Sequence, residues 1–169
     1  MRNVNRSWWR RLLAMLAPAS PDIAERLAGH YATEIRLAHG LAQGAESLTR
    51  YPHSRVRVLD AAERARGRAQ RIRRALEESG HPVTEPTTRS GPRSPTAWER
   101  LRASVSELSG MGEACLADAQ AVEREHPNIA GLLYELHAET AEDRRDLIWT
   151  LAQLSGTAAN TTSLEVVAA

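Results

Sequence analysis

Apolar residues return in steps of three and four along four long stretches of this chain. That spacing puts one buried face on each of several near-parallel helices. The first stripe is Ile23, Leu27, His30, Glu34, Leu37, Leu41, Ala45 and Leu48. The second is Val58, Ala62, Ala65, Ala69, Ile72 and Leu76. The third is Leu101, Val105, Leu108, Gly112, Cys115, Ala119 and Val122, and the fourth Ile129, Leu133, Leu136, Thr140, Asp143, Leu147 and Leu154. Alternating, strand-like runs are almost absent, so the chain is predicted to be all-α.

Punctuation divides these stripes. Pro21-Asp22 opens a first helix that is expected to run to about Arg50, with proline and an acid suited to a first turn. "YPHS" breaks it, and a second helix runs to about Ser79, where Gly80 suits the left-handed stop. A third helix is predicted from about Pro95 to Glu125, and a fourth after "HPN", with Asn128 as its cap and an end near Ser155 and Gly156. Three units follow: an amphipathic N-terminal segment over 1–20, a bundle over 21–155, and a loose tail over 156–169.

The stretch over 80–96, "GHPVTEPTTRSGPRSPT", is a linker. About 16 extended residues span roughly 50 Å, whereas a helix of about 25 residues is roughly 37 Å long. The linker can therefore cross the full bundle, which favours two helical hairpins joined by a long crossover over a plain up-and-down bundle. A shift of about 78 residues brings Leu27 onto Val105, Glu34 onto Gly112 and Val58 onto Leu136, which suggests that the halves resemble each other.

Composition narrows the partners. The formal net charge is +1, and all 22 basic residues are arginine, which gives no general pull towards nucleic acid or membrane. The arginines of "RVRVLDAAERARGRAQRIRR" spread around a polar arc, as on a solvated or intersubunit face. Cys115 is the single cysteine; it rules out an internal disulfide and suits the cytoplasm. "LLAMLA" is shorter than the apolar core of a signal peptide. The N-terminal segment is instead expected to dock Trp8 and Trp9 on the bundle or on a partner, with a membrane surface second to protein.

The stretch "HAETAEDRRDLIWTLAQL" places Glu139, Asp143 and Asp146 beside an apolar face. A buried carboxylate needs a partner. One candidate is a metal held by His30, Glu34, Asp143 and Asp146. The other is arginine, with Arg66 or Arg73 reaching round from the second helix, or Arg144 and Arg145 holding Asp143 or its neighbours at the surface. His137 is expected at the edge of the fourth helix, and Cys115 in the core. The small residues Ala62, Ala65, Ala69, Gly112 and Thr140 imply either a close approach of the second and third helices or a central pocket, with close packing expected.

"HYATEI", "AAERAR" and "TAEDRR", on this architecture, resemble the ferritin-like superfamily, including rubrerythrin-like and bacterioferritin-like proteins. The resemblance covers about Pro21 to Leu154. It implies two metals between the helices, held by a glutamate from the first and third helices and Glu-x-x-His from the second and fourth. Carried over, Glu34 matches, and its counterpart on the third helix is Gly112. The second helix offers Ala62 with Ala65, or Ala69 with Ile72. The fourth offers Thr140 with Asp143, or Asp143 with Asp146. Most ligands are replaced.

The resemblance therefore implies a non-catalytic ferritin-like bundle that acts through association or assembly, as a homo-oligomer or with a protein partner. Trp8, Trp9, Arg66 and Arg73 are its candidate contact residues, and no cofactor is expected. The alternative is iron or manganese binding, with ferroxidase-like oxidation chemistry, at a modified site around Glu34 and Asp143. A third reading, a small molecule in a central pocket, also stays open.

Overall fold

A computed structural model describes residues 21–86 and 96–167. Four helices account for nearly all of them: α1 (Pro21–Glu46), α2 (Pro52–Glu78), α3 (Ala97–Val122) and α4 (Pro127–Val167). No strand occurs among the described residues. The expected N-terminal helix, with Trp8 and Trp9, lies outside them, as do linker residues 87–95.

The helix ends follow local chemistry. Pro52 begins α2, where its missing N–H is an orphan anyway. Gly80 ends it at φ 79°. The Gly80 N–H donates to the Glu77 carbonyl and the His81 N–H to the Leu76 carbonyl, both at 3.0 Å, which satisfies carbonyls that the helix leaves open. Thr96 and Glu99 form a reciprocal capping box at the start of α3. The expected cap at Asn128 is corrected: α4 starts at Pro127, two residues before the Ile129 start that such a cap implies, because proline suits the first helical position. At its other end α4 passes through Gly156 to Val167.

Each helix buries the stripe its sequence marks. All eight stripe residues of α1 and its following turn are buried, as are all six of α2. Val105 and Ile129 alone among the stripe residues are half-buried. Helix α1 packs on α2 and on α3, and α4 packs on α3 and on α2. The pairs α1–α4 and α2–α3 lie across the diagonals.

Cross-helix bonds set the directions. Arg26 reaches Asp118, Arg36 reaches Glu107 and Arg100 reaches Gln43. Partners on α3 therefore descend as α1 ascends, and these helices are antiparallel. Arg64 with Asp146, Arg68 with Asp143 and Arg71 with Glu139 show the same for α2 and α4.

The core is divided. One apolar cluster holds Leu27, Ile72, Leu76, Cys115, Leu133 and Leu136. The other holds Leu37, Leu41, Val58, Leu101, Leu108 and Leu147. Between them lies a layer of buried polar side chains: Glu34, Arg68, Thr140 and Asp143.

Candidate functional site

That polar layer is organised by one arginine. Ala61, Ala65, Arg68 and Ile72 follow one another in steps of four, three and four, which carries Arg68 into the bundle. Its small neighbours Ala65 and Ala69 leave room for the long side chain. Arg68 and Glu34 are 0% exposed and Asp143 is 1% exposed.

The guanidinium forks between two helices. Arg68 Nε donates to Glu34 Oε1 at 2.5 Å, and Nη2 donates to Glu34 Oε2 at 3.2 Å. Nη1 donates to Asp143 Oδ2 at 2.6 Å. The second Asp143 oxygen accepts from Arg64 Nε at 2.5 Å, and Arg64 Nη2 extends to Asp146 Oδ2 at 3.3 Å. A planar guanidinium can serve two carboxylates in this way, whereas an ammonium cannot match the forked geometry. Among the described residues, no buried side-chain nitrogen or oxygen is left without a hydrogen bond.

The electrostatics are tight. Burial pushes the Glu34 carboxyl up to about 7; the hydrogen bond and charge of Arg68 oppose this, while Asp143 and Glu139 add to it. For Arg68, burial works against the charge, but the bonds and charges of Glu34 and Asp143 outweigh it and raise its pKa. The centre therefore keeps its cation and holds a carboxyl that ionises near neutrality.

The four metal candidates are not brought together. Glu34 and Asp143 share a cation, so a divalent ion would have to enter against a fixed positive charge. His30 lies one turn along α1, where its Nε2 donates to Asp118 Oδ2 at 2.8 Å. Its Nδ1 lies 3.7 Å from the Cys115 Sγ. Asp146 is exposed on Arg64. Among the described residues, no group of three or more His, Cys, Asp or Glu side chains is placed to hold a metal ion. The donor set does not fit the pair of metals that the resemblance implies.

The expected arginine partners also need correction. Arg66 pairs with Glu63 and Arg73 with Glu77, both within α2. Each is two residues from a position facing α4, a rotation of about 200° around the helix. Arg64, Arg68 and Arg71 carry the face that meets α4. Arg71 takes Glu139 at 2.5 Å and Glu135 at 3.4 Å. The acids beside the α4 stripe are thus matched by an arginine ladder on α2. Arg144 and Arg145 make no ion pair with Asp143.

Small residues do two jobs here. Helices α2 and α3 are diagonal, so Gly112 does not bring them together; it brings α3 onto α4. A Cβ on Gly112 would lie 3.1 Å from Thr140 Oγ1, a hydroxyl that donates to the Leu136 carbonyl at 2.9 Å. His137 Nδ1 donates to the Gly112 carbonyl at 2.8 Å, which places this histidine at the helix edge as expected. Gly112 and Thr140 also line a surface cleft of about 200 Å³ with Leu108, Glu113 and Arg144. Gly112→Leu should lower stability by about 1–3 kcal/mol, because overpacking against the held Thr140 exceeds the helix-propensity gain of about 1 kcal/mol. Urea denaturation measures this directly.

Cys115 is fully buried. Burial, with the negative charges of Glu34 and Asp118, pushes its thiol up to about 12, so it is a core residue rather than a nucleophile. No protein-family model matches this chain, and no curated protein matches it.

Proposed function

We propose that this chain is a ferritin-like bundle, with a crossover between α2 and α3, in which an arginine replaces the metal pair and the protein acts through association rather than oxidation chemistry. One observation carries this reading: the buried Arg68 guanidinium joins Glu34 to Asp143 at mid-bundle. At that height α2 presents Ala65 and Arg68, and α4 presents Thr140 and Asp143. The spacing is that of Glu-x-x-His, with Arg68 in the place of a histidine. A fixed cation satisfies the carboxylates that iron or manganese would bridge.

The directions of the helices support the crossover. The short turn over 47–51 folds α2 back on α1, and α1 is antiparallel to α3; α2 and α3 would then run parallel, and a chain joining them would travel the bundle's length. The buried thiol of Cys115 suits a reducing cytoplasm. No helix among the described residues is long and apolar enough to cross a membrane.

The test is metal loading. Purified chain given ferrous or manganous ion under anaerobic conditions should retain none stoichiometrically after desalting, and ferrous ion added in air should oxidise at the rate of buffer alone. Stoichiometric iron that disappears in Glu34→Ala would overturn the reading.

A further inference from the structure

The exposed face of α4 carries a pattern that reads the same in both directions. Opposite the buried stripe lie Gly131, Ala138, Glu142, Arg145, Trp149 and Gly156, all exposed. Their spacings are seven, four, three, four and seven, which read the same in both directions. Every member has a counterpart at equal distance from the midpoint between Asp143 and Arg144: glycine with glycine, Ala138 with Trp149, Glu142 with Arg145. An antiparallel pair of identical helices related by a two-fold axis needs this relation, because residue i must suit residue j wherever j meets i.

The chemistry of each pair is complementary. Glu142 and Arg145 are the two charged residues on the stripe, and neither makes an ion pair with any described residue of its own chain. Across a two-fold axis at the midpoint, Glu142 would face the partner's Arg145, and the same contact would form a second time. Trp149 is 47% exposed and Ile148 beside it 43%, large apolar areas to leave in water. The Arg57 guanidinium covers one side of the Trp149 ring, 4.0 Å from its centroid. The small Ala138 of a second copy leaves space for that indole, and glycine at both ends lets the helix axes approach to about 8 Å.

We infer that the α4 outer face is the contact surface of an antiparallel homodimer, centred between Asp143 and Arg144 and closed by reciprocal Glu142–Arg145 pairs. This rests on the association reading above and names its partner as a second copy of the chain. A nucleic acid would want an excess of cations, and this stripe carries one of each sign. A lipid surface would have to accept two charges at the centre of the apolar patch.

The experiment is sedimentation equilibrium of the full chain at about 10–100 μM. The wild type should show twice the chain mass of 18.6 kDa. Glu142→Arg sets two arginines against each other at both contacts and should raise the dissociation constant at least about tenfold. The double variant Glu142→Arg with Arg145→Glu exchanges the signs and should recover the dimer. Circular dichroism of each variant confirms that the bundle remains folded. A monomeric wild type, a dimer indifferent to Glu142→Arg, or a double variant that stays apart would each overturn the inference. These outcomes leave the metal-loading result untouched, so failure of this surface and failure of the arginine-for-metal reading are separate results.

Discussion

Replacing Arg68 by alanine should remove about 3–5 kcal/mol of stability at pH 8, the range expected when a buried pair loses one partner. Two carboxylates at 0% and 1% exposure would face a void with no cation between them. Arg64 would still hold one oxygen of Asp143, but Glu34 would keep no hydrogen bond to a cation. Such a loss corresponds to a fall of about 6–20 °C in Tm for a chain of this size. Thermal denaturation followed by circular dichroism gives the number.

Two companion variants separate charge from volume. Arg68→Lys keeps the cation but replaces a fork with a point charge, so it should recover only part of the loss. Changing Arg68, Glu34 and Asp143 together to apolar residues of similar size should cost far less than Arg68→Ala, because no charge is then stranded. If Arg68→Ala were as stable as the wild type, the guanidinium would not be the counter-ion of the central layer, and the case for its replacing a metal would lose its footing.

The sequence makes the apolar framework easy to read and the polar centre hard. Leu27, Leu37, Ile72 and Leu136 announce their burial by spacing, because a helical face depends only on the chain's own periodicity. Arg68 has the same spacing, following Ala61 and Ala65 in the same alternation. It escapes notice because a charged residue is normally assigned to the solvent face. The signal was present: two buried acids, Glu34 and Asp143, require a cation on the helix between them.

Which arginine supplies that cation depends on the register between α2 and α4. Register is a tertiary property, fixed by packing along both helices, and Arg66 and Arg73 differ from the correct residues only by phase. The His30–Asp118 bond is hidden for the same reason, because it spans α1 and α3. The symmetry of the α4 face, by contrast, lies wholly within one helix. It becomes meaningful only once the structure shows which face of α4 is exposed among the described residues.

A second large effect should appear on changing pH. Glu34 ionises at about 7 in the folded chain against the usual 4.5, chiefly because burial disfavours its charge. The folded state therefore binds more protons than the unfolded chain between these values. The stabilising contribution is complete below about 4.5 and is lost as pH rises through about 7. The shift corresponds to about 3 kcal/mol. Glu34→Gln supplies the control, because it keeps the shape of the side chain and cannot ionise. Its amide group will meet a guanidinium N–H, a penalty that does not vary over this range. Stability should accordingly fall more steeply from pH 5 to pH 8 in the wild type than in Glu34→Gln. Urea titrations at half-unit intervals would reveal the difference, and parallel curves would show that Glu34 does not carry it. The same logic couples the two results. At pH 5 a protonated Glu34 no longer needs its cation, so the damage from Arg68→Ala should be smaller there than at pH 8.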